Sequence, residues 1–309
     1  MSPSLRRSVN VAALLLVVSS ADGIASTITV QDNYWGGIGN PSGPPNAGST
    51  APYEADVIGD PSAFNIMAVT VSRSGGNLTI TINTNYNAAD FNLTQFGDLF
   101  LTPASNWNPN GTAATHWQTD DLMTTGTIWK YAVQASGLNG DAIANKGVIV
   151  PPTVSGAATV YALGANNASI ITSYVTASGC SQPYGYPYVS GCNYIWRYDQ
   201  PVQVATATAT LLNAANGGWS FSQDPTAGYD LSYTIDAAAL DPSFLVGSDG
   251  FDIAFSWAMT CANDIVQGIA YEAPSTVPEP TSLGLFVSSL AVFGFMRRTR
   301  RRINPSEPG

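Results

Sequence analysis

Charged side chains are scarce in this chain, at 10% of 309 residues. Basic ones are scarcer still between Thr27 and Thr276, where only Arg73, Lys130, Lys146 and Arg197 stand against eighteen Asp and Glu residues, a net charge of −14. Such a surface repels phosphate backbones, which argues against a nucleic-acid partner. Histidine is almost missing. His116 stands alone between Thr115 and Trp117, whereas His-based zinc sites draw on two or three such ligands. A Ser-His-Asp triad would have to use the same residue, and no Gly-x-Ser-x-Gly elbow accompanies it. His116 therefore reads as a loop residue without a catalytic role. No Walker loop and no Gly-x-Gly-x-x-Gly run opens a helix, so nucleotide binding has no support. No repeat of fixed period appears, which argues against a solenoid or propeller. Helical periodicity is missing too, apart from one turn's worth at Asp236 to Leu240.

What the chain does contain is short runs of alternating character between Gly, Pro, Asn and Thr breaks. Phe64 to Val71 and Asn77 to Asn83, separated by Arg73-Ser74-Gly75-Gly76, read as a hairpin with one apolar and one polar face. Further candidate strands are Gly97 to Thr102, Thr127 to Gln134, Gly147 to Val150, Ala158 to Leu163 and Ile170 to Val175. Later ones are Tyr194 to Tyr198, Val202 to Leu211, Trp219 to Gln223, Asp230 to Ile235, Phe251 to Met259 and Ile265 to Ala270. About a dozen short strands with turn-rich gaps predict an all-β domain over 26–275, a β-sandwich or jelly roll. The Gly, Pro, Asn and Ser-rich stretch Gly36 to Pro52 reads as an irregular loop.

Both ends read as addresses. Arg6-Arg7, the apolar run Val9 to Val18 and the small residues around Gly23-Ile24-Ala25 have the order of a secretory signal peptide, assigned to 1–25. At the other end stand Pro278-Glu279-Pro280, an apolar stretch Leu283 to Met296, and Arg297, Arg298, Arg300, Arg301 and Arg302. As a helix, Thr281 to Met296 would span about 24 Å, short for a bilayer core, but flanking Arg side chains snorkel and the membrane thins. The Arg cluster stays cytoplasmic by the positive-inside rule, so both ends agree on one topology. Proline on each side of Glu279 holds the backbone extended and away from helix, open to a protease.

This order resembles the PEP-CTERM sorting signal of bacterial exosortase substrates, with Pro278, Glu279 and Pro280 matching the recognition tripeptide of that family; 276–309 is assigned to it. The resemblance implies export, an inner-membrane-anchored precursor in a Gram-negative-type bacterium, and then the cell surface or extracellular space. It implies signal peptidase and exosortase as partners, and contact with the membrane through the C-terminal helix before processing. Three shorter runs are similar to a group of PEP-CTERM proteins without an assigned activity. They are Gly97-Asp98-Leu99-Phe100-Leu101, Arg197-Tyr198-Asp199-Gln200, and the segment in which Trp257, Met259, Cys261, Asn263, Asp264 and Gly268 recur. Asn263-Asp264 reads as a turn between two buried strands, with Trp257 in the core.

Three cysteines are present. Cys180 and Cys192 bracket eleven residues rich in Pro and Gly, and export permits a disulfide there, worth on the order of 3 kcal/mol by chain entropy. Cys261 is left odd, in a strand. Tyr184, Tyr186 and Tyr188 in that loop are candidate sugar-stacking residues. Most carboxylates sit beside Gly, Pro or Asn as turn formers. Asp32, Asp56, Asp60, Asp98 and Asp264, with Asn263, are candidate calcium ligands, though no calcium motif orders them. Asn77, Asn92, Asn110 and Asn167 open Asn-x-Ser/Thr sequons, read here as Asn- and Thr-rich turns rather than glycan sites. The expectation is a non-enzymatic exported protein without a resident cofactor, calcium apart. A lectin-like exopolysaccharide-binding module and a secreted carboxylate-dependent hydrolase are the alternatives.

Overall fold

The computed structural model describes residues 26–32, 61–74, 76–87, 95–109, 126–139, 153–173, 200–212, 217–224, 226, 228–247, 249–260, 262 and 264–274. The hairpin expected first is there, as β2 (Ile66–Ser74) and β3 (Asn77–Thr84). Ahead of them come β1 (Ser26–Gln31) and a short α1 (Pro61–Phe64), neither of which the sequence announced. Then follow β4 (Leu99–Pro103), β5 (Tyr131–Ala135), β6 (Thr153–Ala162) and β7 (Ile170–Thr172). The candidate strand Val202 to Leu211 divides into β8 (Pro201–Val204) and β9 (Thr210–Leu211) around a turn at Ala205. The chain continues through β10 (Gly217–Gln223), β11 (Tyr229–Asp236), β12 (Leu245–Val246), β13 (Gly250–Ala258) and β14 (Ile265–Glu272). Asp236 to Leu240, the one stretch with a helical look, forms a single 3-10 turn at Ala237–Ala239, capped by the Asp236 side chain. The candidates Gly147 to Val150 and Tyr194 to Tyr198 lie outside the described residues.

All strand pairs are antiparallel. The all-β expectation holds, but the layers are not two separate sandwich sheets. One sheet runs β1-β2-β3-β11-β10-β6-β5-β4-β13, with β14 on the outer side of β13 and β12 extending β4's side. It curls until its two ends meet, nearly a barrel. Along β3, Leu78, Ile80, Ile82 and Thr84 point inward and are buried, while Asn77, Thr79, Thr81 and Asn83 point outward. Leu231, Tyr233 and Ile235 of β11 do the same, as period-two side-chain geometry requires. Leu78, Ile80, Ile82, Leu231, Tyr233 and Ile235, with Val69, Val71, Val160, Phe221, Phe255 and Trp257, belong to one hydrophobic cluster. Where the sheet ends approach, Gly268 leaves room: a Cβ there would stand 3.1 Å from Val30 Cγ1 and 3.5 Å from Phe255 Cζ. Glycine at this position lets β1 and β14 come together without a pairing ladder between them.

Register defines two poles. Ser26 pairs with Arg73, Ser74 with Asn77, Asn77 with Asp236, and Phe251 with Glu272. The start of β1 and the end of β14 thus lie at the same end, called here the exit pole. Gln31, Ile66, Thr84, Gln223, Tyr229, Ala258 and Ile265 lie at the other, distal end. A second, small sheet of β7 and β8 lies against the outer face of β4, β5 and β13. Val204, Phe100, Trp129, Ala132 and Ala254 cluster beneath it, and Val202 packs with Ala258, Ala262 and Ile265. Asn167, at φ 60°, fastens this layer: its Oδ1 accepts from Trp129 N at 2.9 Å and its Nδ2 donates to Thr127 O at 2.9 Å. It is 3% exposed, so this sequon asparagine is a structural clamp and not a glycan acceptor.

Candidate functional site

Three places in the molecule bear on function. The first is the exit pole. Arg73, 8% exposed, points inward and donates from Nη1 to Gly250 O at 2.7 Å and Gly247 O at 3.4 Å. It ties β2 to the β12–β13 turn, and its Nε has no acceptor. Pro274 packs on the same turn, since a Cβ on Gly247 would fall 2.7 Å from Pro274 Cβ. The chain is therefore held to within four positions of Pro278. At the rim, Lys130 Nζ meets Asp241 Oδ2 at 3.3 Å. Asp241 is held below the usual carboxylate range by the Ser243 N–H and hydroxyl, and then by Lys130.

The second place is a buried node between the interior and the outer layer. Gly97 O accepts from Trp257 Nε1 at 3.1 Å and from Tyr233 Oη at 3.3 Å. Asp98 turns the other way, under β8: its N–H donates to Val202 O at 2.8 Å, and its Oδ2 accepts from Val204 N at 2.8 Å. Burial pushes its carboxyl up to about 7, against the lowering pull of Val204 N–H and the Gln134 side chain. Burial likewise holds the Tyr233 hydroxyl far above the ordinary phenol range, with Asp98 adding to it. No side chain fits at Gly97, where a Cβ would stand 2.0 Å from Ala258 O and 2.7 Å from Val202 O. Two of the three short runs singled out in the sequence, around Gly97-Asp98 and Trp257, thus touch each other. Gln200, from the third, sits fully buried at the start of β8 and receives the Ser173 N–H at 2.8 Å through its carbonyl. The node is a packing joint closed to solvent.

The third place is an open groove of about 420 Å³ on the outer face near the distal pole, lined by Ala68, Thr70, Thr81, Asn83, Asp224, Thr226 and Asp230. A polar ladder floors it. Thr81 Oγ1 lies 2.8 Å from Ser232 Oγ, and Asn83 Nδ2 donates to Asp230 Oδ1 at 2.8 Å. Asp224 Oδ1 accepts from Thr226 N, shaping the β10–β11 turn. Asp230 is raised from the ordinary carboxylate value by burial first, against the Asn83 hydrogen bond, and further by the charge and hydrogen bond of Asp224.

Of the calcium candidates, Asp32, Asp98 and Asp264 are among the described residues. Asp264 is buried, its Oδ2 accepting from Ile66 N at 2.6 Å and its Oδ1 from Ile265 N at 2.9 Å, so it fastens the β13–β14 turn to β2. Asp98 serves β8 as described, and Asp32 closes β1 through its N–H to Met67 O at 3.1 Å. Among the described residues no three His, Cys, Asp or Glu side chains form a metal-holding group. Asp56, Asp60, Cys180, Cys192, Cys261, Tyr184, Tyr186, Tyr188, Asn263, His116 and the signal-peptide segment lie outside the described residues. So do Pro278, Glu279, Pro280 and the Arg cluster. No helix among the described residues is long and apolar enough to cross a membrane.

A nearly closed antiparallel barrel whose last strand leads directly into a C-terminal tail defines a folded β domain placed ahead of a sorting segment. That segment is assigned by comparison: residues 276–302 match the PEP-CTERM protein-sorting motif. The chain thus carries a PEP-CTERM sorting motif, the mark of an exported protein sorted by an exosortase. No curated protein and no solved structure matches it.

Proposed function

We propose that this protein is a non-enzymatic component delivered by exosortase sorting to the cell surface or the extracellular polymer matrix. The observation that carries the reading is the sorting motif at 276–302, directly behind a barrel whose last described residue is Pro274. The reading is supported by buried carboxylates that serve the fold: Asp98 and Asp264 hold backbone N–H groups. Signal peptidase would act at the N-terminal end, and the apolar stretch Leu283 to Met296 would hold the precursor in the membrane. Intact mass of the protein from its native host, with and without the exosortase, tests this. The expected result is a C-terminus near Val277 to Pro280 in the exosortase-positive strain alone; a full-length tail in both strains overturns it.

A second reading, a module that binds exopolysaccharide, is favoured by the distal groove. Its carboxylates, amide and hydroxyls match the alternating donors and acceptors of sugar hydroxyl groups. Pull-down on the matrix polysaccharide is expected to weaken about ten-fold in an Asp224→Asn, Asn83→Ala, Asp230→Asn variant, as loss of two or three hydrogen bonds implies. Unchanged retention, with an unchanged melting temperature, removes the groove from consideration.

A further inference from the structure

We propose that the exit pole is the surface this barrel presents to its sorting protease, and that the tripeptide is cut while the barrel is folded, with the protease approaching that pole. The proposal rests on the sorting reading above. Only Ser275, Thr276 and Val277 separate Pro274 from Pro278, so even at full extension the tripeptide begins within about 14 Å of Pro274 and ends within about 21 Å of it. The chain is not loose before that point. β14 is laddered to β13 as far as Glu272 opposite Phe251, and Pro274 packs on the turn at Gly247 and Gly250. Arg73 locks that turn to β2 through Gly250 O. Freeing more tether would mean stripping β14 from β13 and uncovering Phe255 and Trp257, both fully buried.

The protease must therefore fit beside the β2–β3 hairpin, the 3-10 turn at Ala237–Ala239 and the β12–β13 turn. The rim there carries Asp236, Asp241, Asp249 and Glu272, with Lys130 already paired to Asp241. An acidic rim is complementary to a cationic one on the partner. The groove at Thr70, Asn83 and Asp230 lies toward the opposite pole, so the domain's open polar surface faces away from the protease during processing.

The test uses the full chain in its exosortase-positive host. A small folded domain with adjacent termini is inserted in the hairpin turn between Ser74 and Asn77, or after Thr226 at the distal pole; exposed turns tolerate such insertions. The processed fraction is read by mass. Insertion at the exit pole is expected to slow processing about five-fold or more, because misplacing a reacting site by a few ångströms is costly, while insertion after Thr226 leaves the rate unaltered. A Gly/Ser linker of roughly 20 residues between Pro274 and Ser275, reaching about 25 Å, is expected to restore processing of the exit-pole insertion. Equal processing of the two insertions, or no rescue by the linker, overturns the proposal. Asp249→Lys with Glu272→Lys, which adds no bulk, serves if the hairpin insertion fails to fold; it is expected to slow processing, and an unaltered rate counts against the proposal. A parent chain left uncut by the exosortase sinks the sorting reading itself, and this proposal with it, an outcome distinct from equal cutting of the insertions.

Discussion

At the residue scale the most consequential side chain among those described is Asp98. A carboxyl kept from water and held to one backbone N–H is disfavoured as an anion, which is why it titrates about 7. The sign follows from linkage. The folded state holds this proton more tightly than the unfolded chain, whose Asp titrates near 3.8. Stability from the group is full below that value and is lost as pH rises toward 7, by several kcal/mol at about 1.4 kcal/mol per unit. Asp98→Asn retains an acceptor for Val204 N–H and cannot ionise. It is therefore expected to be more stable than the parent at pH 8 and to lose that advantage toward pH 4, in denaturant titrations across this range. Parallel pH curves for the two proteins would contradict the assignment. The neighbouring Gly97 shows a different necessity, since backbone oxygens occupy the space of any side chain there.

At the element scale, the β7–β8 layer is fastened by few groups, and Asn167 is the clearest. The two ends of its amide bond the backbone of Thr127 and Trp129. Asn167→Ala removes both hydrogen bonds, at a cost of about 1–3 kcal/mol. Hydrogen exchange is expected to rise first at Trp129 and Lys130 and in β7 and β8, with β3 and β11 still protected; uniform acceleration would mean that the layer and the barrel open together. The hairpin β2–β3 was legible because alternation and a glycine turn are local signals. β1 was not legible because Ser26–Gln31 presents only two apolar side chains, Ile28 and Val30, and is held as a strand by β2 beside it. Val202 to Leu211 looked like one strand because the turn at Ala205 is fixed by Ser169 O and Asp98, neither of which is near in sequence.

At the scale of the whole molecule, one cluster fills the barrel from Phe64 to Ala270, and the pairing that closes it is long-range: β11 to β3, β10 to β6, β13 to β4. Such a core is expected to unfold as one unit. Thermal melts followed by indole fluorescence, from Trp219 and Trp257 in the interior, and by far-ultraviolet dichroism should coincide. Separated midpoints would show a subdomain that this architecture does not provide for.

The chain by itself determined its class, the strand-rich middle and the sorting tail, because composition, period-two alternation and a contiguous motif are local properties of sequence. It also singled out Gly97, Asp98, Trp257 and Asp264 as worth attention. Only the tertiary structure decided what they do, since Gly97 O lies beside the Trp257 indole through pairing across 160 positions. The same holds for the groove. Outward-facing Asn83 and Asp230 are readable strand by strand, but their meeting depends on the register of β3 against β11. The shared pole of Ser26 and Glu272 arises in the same way, from a sheet curled until its first and last strands run side by side.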